Sequence, residues 1–271
     1  MVTQAEKAEL FRRLHQGSTF LIANAWDAGS ARVLAGLGYV ALASSSGASA
    51  ALLGKRDGHI TRDEALRHLS AIVSATDLPL SADLEHGFGD APEIVADTIR
   101  LAAEVGVVGG SIEDATGDPE RPLYDFQHAV ERVAAAAEAA RSLPFPFTLT
   151  ARAEGFLRGR IDLEDTIRRL RAFAEAGADV VFAPGLPDLA AVRAVCGAVH
   201  KPVSFMAGIK GRSFSVPELE AAGVRRISVA TSFYRAAVSR LREVALDVRE
   251  QGTFAYLEST MSTAELNALL R

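Results

Sequence analysis

Residues 170–183 read LRAFAEAGADVVFA. A stretch rich in alanine, leucine, arginine and glutamate runs into Gly177, and a short β-branched run follows at once. The same order recurs as ARVLAGLGYVALA (31–43), IRLAAEVGVVGGSIE (99–113) and LEAAGVRRISVA (219–230). Gly38, Gly106, Gly177 and Gly223 stand where a helix C-terminus needs a residue that can turn left-handed. The apolar runs after them read as strands buried on both faces. Helix and strand alternating along the whole chain predicts a parallel sheet.

Outward from these units, the pattern predicts eight strands, near 20–25, 40–44, 79–83, 107–113, 146–151, 180–183, 203–206 and 227–230. Helices are expected between them, at 62–76, 92–105, 125–141, 162–176, 187–198 and 216–222. Eight strands close a (β/α)8 TIM barrel. An open doubly wound sheet is the alternative, but no Gly-rich dinucleotide fingerprint follows the first strand. MVTQAEKAELFRRLHQG at the N-terminus reads as an amphipathic helix without the apolar core of a signal peptide. After 232 comes a long helix, to about 250, and a final one that Ser262 or Thr263 could cap. The expected organisation is a single barrel domain over 1–271, with 232–271 as a helical C-terminal segment.

The 271 residues suit one barrel of this class. A net charge of −5 offers no basic footprint for nucleic acid or acidic lipid. No run approaches the roughly 20 apolar residues of a membrane span. Cys196 is the one cysteine, which excludes an internal disulfide framework and suits a reducing compartment. A cytoplasmic protein is expected.

Catalytic groups in such barrels stand where strands end. The second strand runs into Ser44-Ser45-Ser46-Gly47-Ala48, whose hydroxyls and backbone N–H groups can grip a carboxylate. The third ends in Asp83, Glu85 and His86, the fourth in Glu113 and Asp114, the fifth in Arg152 and Glu154. Asp83 and Glu85 are two apart, so on an extended backbone they point the same way, and Glu113 arrives from the adjacent strand. Three converging carboxylates repel one another. A hard divalent cation is the usual remedy, and all-oxygen ligands favour Mg2+ or Mn2+ over Zn2+. The simpler remedy is a salt bridge to Arg152. That guanidinium could also stabilise charge on an enolate or carboxylate oxygen. His86 is a candidate acid or base, or a second donor behind the site. The four lysines, Lys7, Lys55, Lys201 and Lys210, fall in the wrong places for a Schiff base, and neither a G-x-S-x-G elbow nor a P-loop is present. Lys210 and Arg212 in MAGIKGRSF offer only a minor phosphate site.

Together NAWD (24–27), SSSGASAALLGKRDG (44–58), SADLEHGFGD (81–90), SIEDATG (111–117) and TARAEGF (150–156) make the chain resemble the isocitrate lyase/phosphoenolpyruvate mutase superfamily over nearly its full length. The resemblance implies Mg2+ or Mn2+ held by Asp83, Glu85 and Glu113, in part through water. It implies a small 2-oxo or 2-hydroxy acid chelating that cation, its carboxylate held by Ser45, Ser46, Gly47 and Ala48. Arg152 would steady the enolate oxygen, and Asp57 matches an acidic residue lying over the active site. It also implies a last helix swapped between subunits of a dimer or tetramer, a role for 232–271.

The departures bear on the reaction. Isocitrate and methylisocitrate lyases carry a Lys-Lys/Arg-Cys-Gly-His loop after the fourth strand, whose cysteine protonates the departing enolate. Here that stretch is DATGDPERPLYD (114–125), with no Cys, Lys or His. The Lys and Asn or Thr of phosphonate-processing members are missing too, which weakens phosphonopyruvate hydrolase and mutase chemistry. The expectation is a metal-dependent carbon–carbon lyase or decarboxylase acting through a metal-bound enolate, oxaloacetate decarboxylase-like or substituted-malate lyase-like, with 114–124 closing over it. His86, Tyr124 and Tyr234 are the candidates for proton transfer. A non-catalytic protein that binds a 2-oxo acid is the rival.

Overall fold

A computed structural model describes residues 2–270. Eight parallel strands close into a barrel in chain order. They are β1 (Phe20–Asn24), β2 (Leu42–Ala43), β3 (Leu80–Asp83), β4 (Gly109–Glu113), β5 (Thr148–Arg152), β6 (Val180–Phe182), β7 (Val203–Met206) and β8 (Arg226–Ser228). Each expected strand is present, and the chain is a (β/α)8 TIM barrel. The four glycines read as helix stops all have positive φ: 87° at Gly38, 97° at Gly106, 112° at Gly177 and 94° at Gly223.

Helices wrap the barrel between strands: α2 (Ala28–Gly36), α3 (Ser46–Leu52), α4 (Arg62–Val73), α5 (Pro92–Glu104), α6 (Phe126–Arg141), α7 (Leu163–Glu175), α8 (Leu189–Ala198) and α9 (Val216–Ala221). Before them, α1 (Gln4–Leu14) packs Ala8 and Phe11 against Phe20, Ile22, Ala41 and Val108 at the strand starts. A Cβ on Gly109 would meet the Phe11 ring at 2.7 Å and the Thr148 carbonyl at 2.9 Å. The close seat of α1 therefore depends on that glycine. Thr3 with Glu6, Thr61 with Glu64 and Ser215 with Glu218 form capping boxes, each satisfying backbone N–H groups that a helix start leaves open.

α3 is absent from the sequence reading, which treats 44–48 as a loop. SGASAAL has no charged residue and no apolar periodicity, yet Ser45 caps it, accepting from the Ala48 N–H. After the barrel come α10 (Ser232–Gln251), a 3-10 turn (Ala255–Ser259) and α11 (Thr263–Leu269). Ser262 rather than Thr263 caps α11. α11 returns to α2, where Arg32 Nη1 donates to the Leu270 carbonyl at 2.8 Å. No residue of α10 is buried within the chain. Among the described residues no helix is long and apolar enough to cross a membrane.

Candidate active site

The last residues of β3, β4 and β5 are Asp83, Glu113 and Arg152, and Glu113 pairs in register with Arg152. These adjacent ends gather around one guanidinium. Arg152 Nη1 lies 2.9 Å from Asp83 Oδ1, and Nη2 lies 3.0 Å from Glu113 Oε2 and 2.8 Å from Glu154 Oε1. Burial opposes the charge on Arg152, but the carboxylates outweigh it and keep the group protonated. Arg158, half exposed, adds a second cation 3.1 Å from Glu113 Oε1. Glu154 is wholly buried, and its Oε2 makes no hydrogen bond.

The expected parallel aim of Asp83 and Glu85 is corrected. The strand stops at Asp83, and Glu85 takes the left-handed conformation at φ 50°, so the alternation of an extended chain does not apply. The Glu85 N–H turns back to Asp83 Oδ1 at 3.3 Å. Its side chain is buried with Oε1 unpartnered. Burial, then the charges of Asp83 and Asp57, push the Glu85 carboxyl up to about 8. Burial also raises Glu113, with Glu154 and Asp83 opposing the relief from Arg152 and Arg158. Among the described residues no three acidic, histidine or cysteine side chains share a ready-made ligand geometry. Arg152 stands between the carboxylates instead, as the salt-bridge alternative has it.

Around this cluster the serine run is ordered by Asp83. The Ser46 N–H donates to Asp83 Oδ2 at 3.0 Å, and the Asp83 N–H donates to Ser44 Oγ at 2.9 Å. A Cβ on Gly47 would lie 3.1 Å from Asp57 Oδ2, so the exposed Asp57 rests against the glycine. Asn24 ties three strand ends together: Nδ2 donates to the Ser44 carbonyl at 2.6 Å, and Oδ1 accepts the Val229 N–H at 3.0 Å. A cavity of about 70 Å³ opens beside this cluster, lined by Asn24, Ser45, Asp83, Arg152 and, deeper, Arg226 and Ser228, while Glu85 and Glu113 stand behind its wall.

The proposed proton-transfer residues lie elsewhere. His86 faces a groove with Thr61, Asp63 and Phe88, and burial followed by Arg132 lowers its pKa. The Tyr124 hydroxyl donates to Asp90 Oδ1 at 2.6 Å. Tyr234 packs edge-on to Trp26 with ring centroids 5.8 Å apart. None of the three lines the cavity. Cys196 lies in α8 and does not line the cavity, and burial pushes its thiol up to about 11.

Sequence reasoning missed Arg132 and Arg169 behind the site and gave Asp114, named at its strand end, no role. Arg132 of α6 is 1% exposed and donates to the carbonyls of His86, Gly89 and Asp90, gripping the loop that carries Glu85. Its guanidinium lies 4.1 Å above the Tyr124 ring. Asp114 accepts the Glu154 N–H at 2.8 Å and pairs with Arg169 at 3.2 Å, joining β4, β5 and α7. The only trace of Arg132 in the sequence is one arginine in an alanine-rich helix, a signal that resembles a solvated face.

The model of the phosphoenolpyruvate phosphomutase family matches residues 11–249. The chain belongs to this family. It is thereby a member of the isocitrate lyase/phosphoenolpyruvate mutase superfamily. Similar proteins include 2-methylisocitrate lyase of Escherichia coli K12, 30% identical over 236 residues, covering 83% of this chain and 78% of that one. Oxaloacetate decarboxylase of Paraburkholderia xenovorans LB400 is 32% identical over 211 residues, covering 75% and 69%. A solved structure from Burkholderia cenocepacia J2315, named only by the class lyase/mutase, is 51% identical with a TM-score of 0.95, covering 97% and 95%. Lyases and decarboxylases acting on carbon–carbon bonds are thus among the proteins it is similar to.

Proposed function

We propose that the site takes Mg2+ or Mn2+ on Asp83, Glu85 and Glu113 and decarboxylates a small 2-oxo dicarboxylic acid of the oxaloacetate type, with lysis of a substituted malate as the related reaction. The observation that carries this reading is a surplus of carboxyl groups over cationic side chains. Among the described residues the cationic partners of Asp83, Glu113 and Glu154 are Arg152 and Arg158, and the buried Glu85 forms no ion pair and leaves Oε1 without a partner. Hard oxygen donors short of positive charge suit a hard divalent cation. When bound, the cation would supply Lewis acidity at the 2-oxo oxygen.

The chain's own residues do the rest. Ser45 lines the cavity and the backbone at Ser46, Gly47 and Ala48 follows it at the start of α3; these would receive the carboxylate next to the keto group, the Ser46 N–H leaving Asp83 Oδ2 and the Ala48 N–H leaving Ser45 Oγ. In decarboxylation the C–C bond to the distal carboxylate breaks and carbon dioxide leaves. The electron pair moves into the 2-oxo group as an enolate, and the carbon later takes up a proton. Arg152 is the donor for the enolate oxygen, since its guanidinium lines the cavity. Asp57 would guard the entrance from its seat on Gly47. This reaction needs no base for a substrate hydroxyl. That favours it over a retro-aldol cleavage, because His86, Tyr124 and Tyr234 do not line the cavity. Water at the open mouth can return the proton. The hairpin-like loop 114–124, closed at its base by Ala115 and Leu123, is the segment suited to exclude water during the first step.

The helical segment 232–271 completes the proposal as an oligomerisation element exchanged between subunits of a dimer or tetramer. Leu241, Phe254 and Leu257 support it, each more than half exposed on the isolated chain.

Purified protein with oxaloacetate and a panel of 2-alkylmalates is expected to release pyruvate or a homologous 2-oxo acid with Mg2+ or Mn2+, and to stop when EDTA is added. Pyruvate formation no faster than with free Mg2+, together with thermal stabilisation by the acids, would mark a binding protein instead. Full cation-dependent activity in Asp83→Ala would remove the proposed ligand set.

A further inference from the structure

Arg226 is the first residue of β8 and is 5% exposed. The other arginines of this depth have more acceptors, although Arg132 Nε is also unpartnered. Arg132 has three carbonyl acceptors, and Arg169 has two carboxylates, Asp114 and Asp165. Arg226 has one hydroxyl: its Nε donates to Ser204 Oγ at 3.0 Å. Its Nη1 is buried without a partner, and no carboxylate among the described residues pairs with it. Burying a guanidinium in this way is costly unless an anion joins it. Burial, and then the nearby charge of Arg152, lower its pKa to about 10, which leaves it charged at neutral pH.

Its position is set by the strand register. Arg152 pairs with Phe182, Phe182 with Ser204, Ser204 with Arg226, and Arg226 with Phe20. That ladder starts at the last residue of β5 and finishes at the first residue of β1, so it descends through the tilted barrel. Arg226 thus stands below Arg152, and both line the same cavity. Ser81, Ser111 and Ser228 provide hydroxyls on its wall. Thr150, two residues before Arg152 on β5, has a buried Oγ1 that is also unpartnered. At roughly 10–15 Å³ per water-sized probe, the cavity of about 70 Å³ that both guanidiniums line has the volume for a carboxylate group.

We propose that Arg226 is a second anion-binding group of this pocket, receiving at the barrel floor the distal carboxylate of a small dicarboxylic acid whose other end lies at Ser45 and Arg152. The assignment rests on the reading that this cavity takes a small acid. It makes the pocket selective for dicarboxylates over monocarboxylates of the same 2-substituent.

Malate and lactate test it, because they share the 2-hydroxy acid end and differ by one carboxylate. Calorimetric titration of the full-length protein with Mg2+ is expected to show malate binding at least tenfold more tightly than lactate. Arg226→Met should bring malate down to the level of lactate and leave lactate unchanged, while Arg226→Lys recovers part of the difference. Ser204→Ala, which loosens the guanidinium, should weaken malate several-fold and lactate not at all, and it serves if Arg226→Met does not fold. An unchanged malate-to-lactate ratio in these variants overturns the assignment. So does an equal loss for both acids, which marks a packing role, and so does a wild-type protein that binds neither. The outcome is separable from the reaction proposed above. Selective malate binding without turnover of any acid would leave Arg226 in place and remove the lyase mechanism. Turnover with an unaltered ratio in Arg226→Met would do the reverse.

Discussion

Arg152 makes ion pairs with Asp83, Glu113 and Glu154 through a planar fork of donors that no other side chain offers. Lysine would keep the charge and lose the fork. Arg152→Lys is expected to lower kcat about 100-fold or more, measured as pyruvate release, with the fold retained by circular dichroism. An unaffected kcat would show that this guanidinium does not meet the developing charge. Glu85 carries a second expectation, about pH. Its folded pKa of about 8 is raised above the ordinary 4.5, so the folded protein holds a proton that the unfolded chain releases. The stability from this group is full below the ordinary value and is lost as pH rises through about 8. Without divalent cation the melting temperature should therefore fall between about pH 5 and about pH 8. A cation at Glu85 displaces that proton, so Mg2+ should raise the melting temperature more at about pH 8.5 than at about pH 6. An equal increment at both would place Mg2+ away from Glu85.

At the level of elements, the loop from Leu84 to Ala91 is held from behind by α6. Arg132 donates to the carbonyls of His86, Gly89 and Asp90, and Tyr124 ties Asp90 to the foot of loop 114–124. Arg132→Met should leave the His86 and Gly89 carbonyls without their donor, while His128 Nε2 stays 3.0 Å from the Asp90 carbonyl, at a cost of about 3 kcal/mol read from urea unfolding. The same variant should weaken Mg2+ binding, because Glu85 depends on the loop's shape. A variant that loses stability but keeps wild-type Mg2+ affinity would confine Arg132 to packing. The strand-to-loop break at Asp83 shows why this element resists pattern reading. D-x-E spacing predicts two side chains on one face, and a single left-handed residue cancels that rule.

For the whole molecule, the exposed apolar residues after the barrel set the test of assembly. Light scattering is expected to find dimers or tetramers. Leu241→Glu combined with Leu257→Glu should shift them to monomers while the barrel stays folded, since neither residue is buried within the chain. A monomeric wild type would remove the proposed exchange of 232–271.

What the sequence determined by itself is local and repetitive. Helix runs closing on Gly38, Gly106, Gly177 and Gly223, each followed by a β-branched strand, specify the parallel barrel, because a left-handed stop and a two-sided apolar run are properties of neighbouring residues. The same logic places Asp83, Glu113 and Arg152 at strand ends. Pairwise contact between distant residues was decided only in three dimensions. That Arg152 separates the carboxylates, that Arg132 reaches across from α6, and that Arg226 lies below Arg152 all follow from barrel closure and stagger. Those set which strand ends meet and at what depth, and no stretch of sequence contains that information alone.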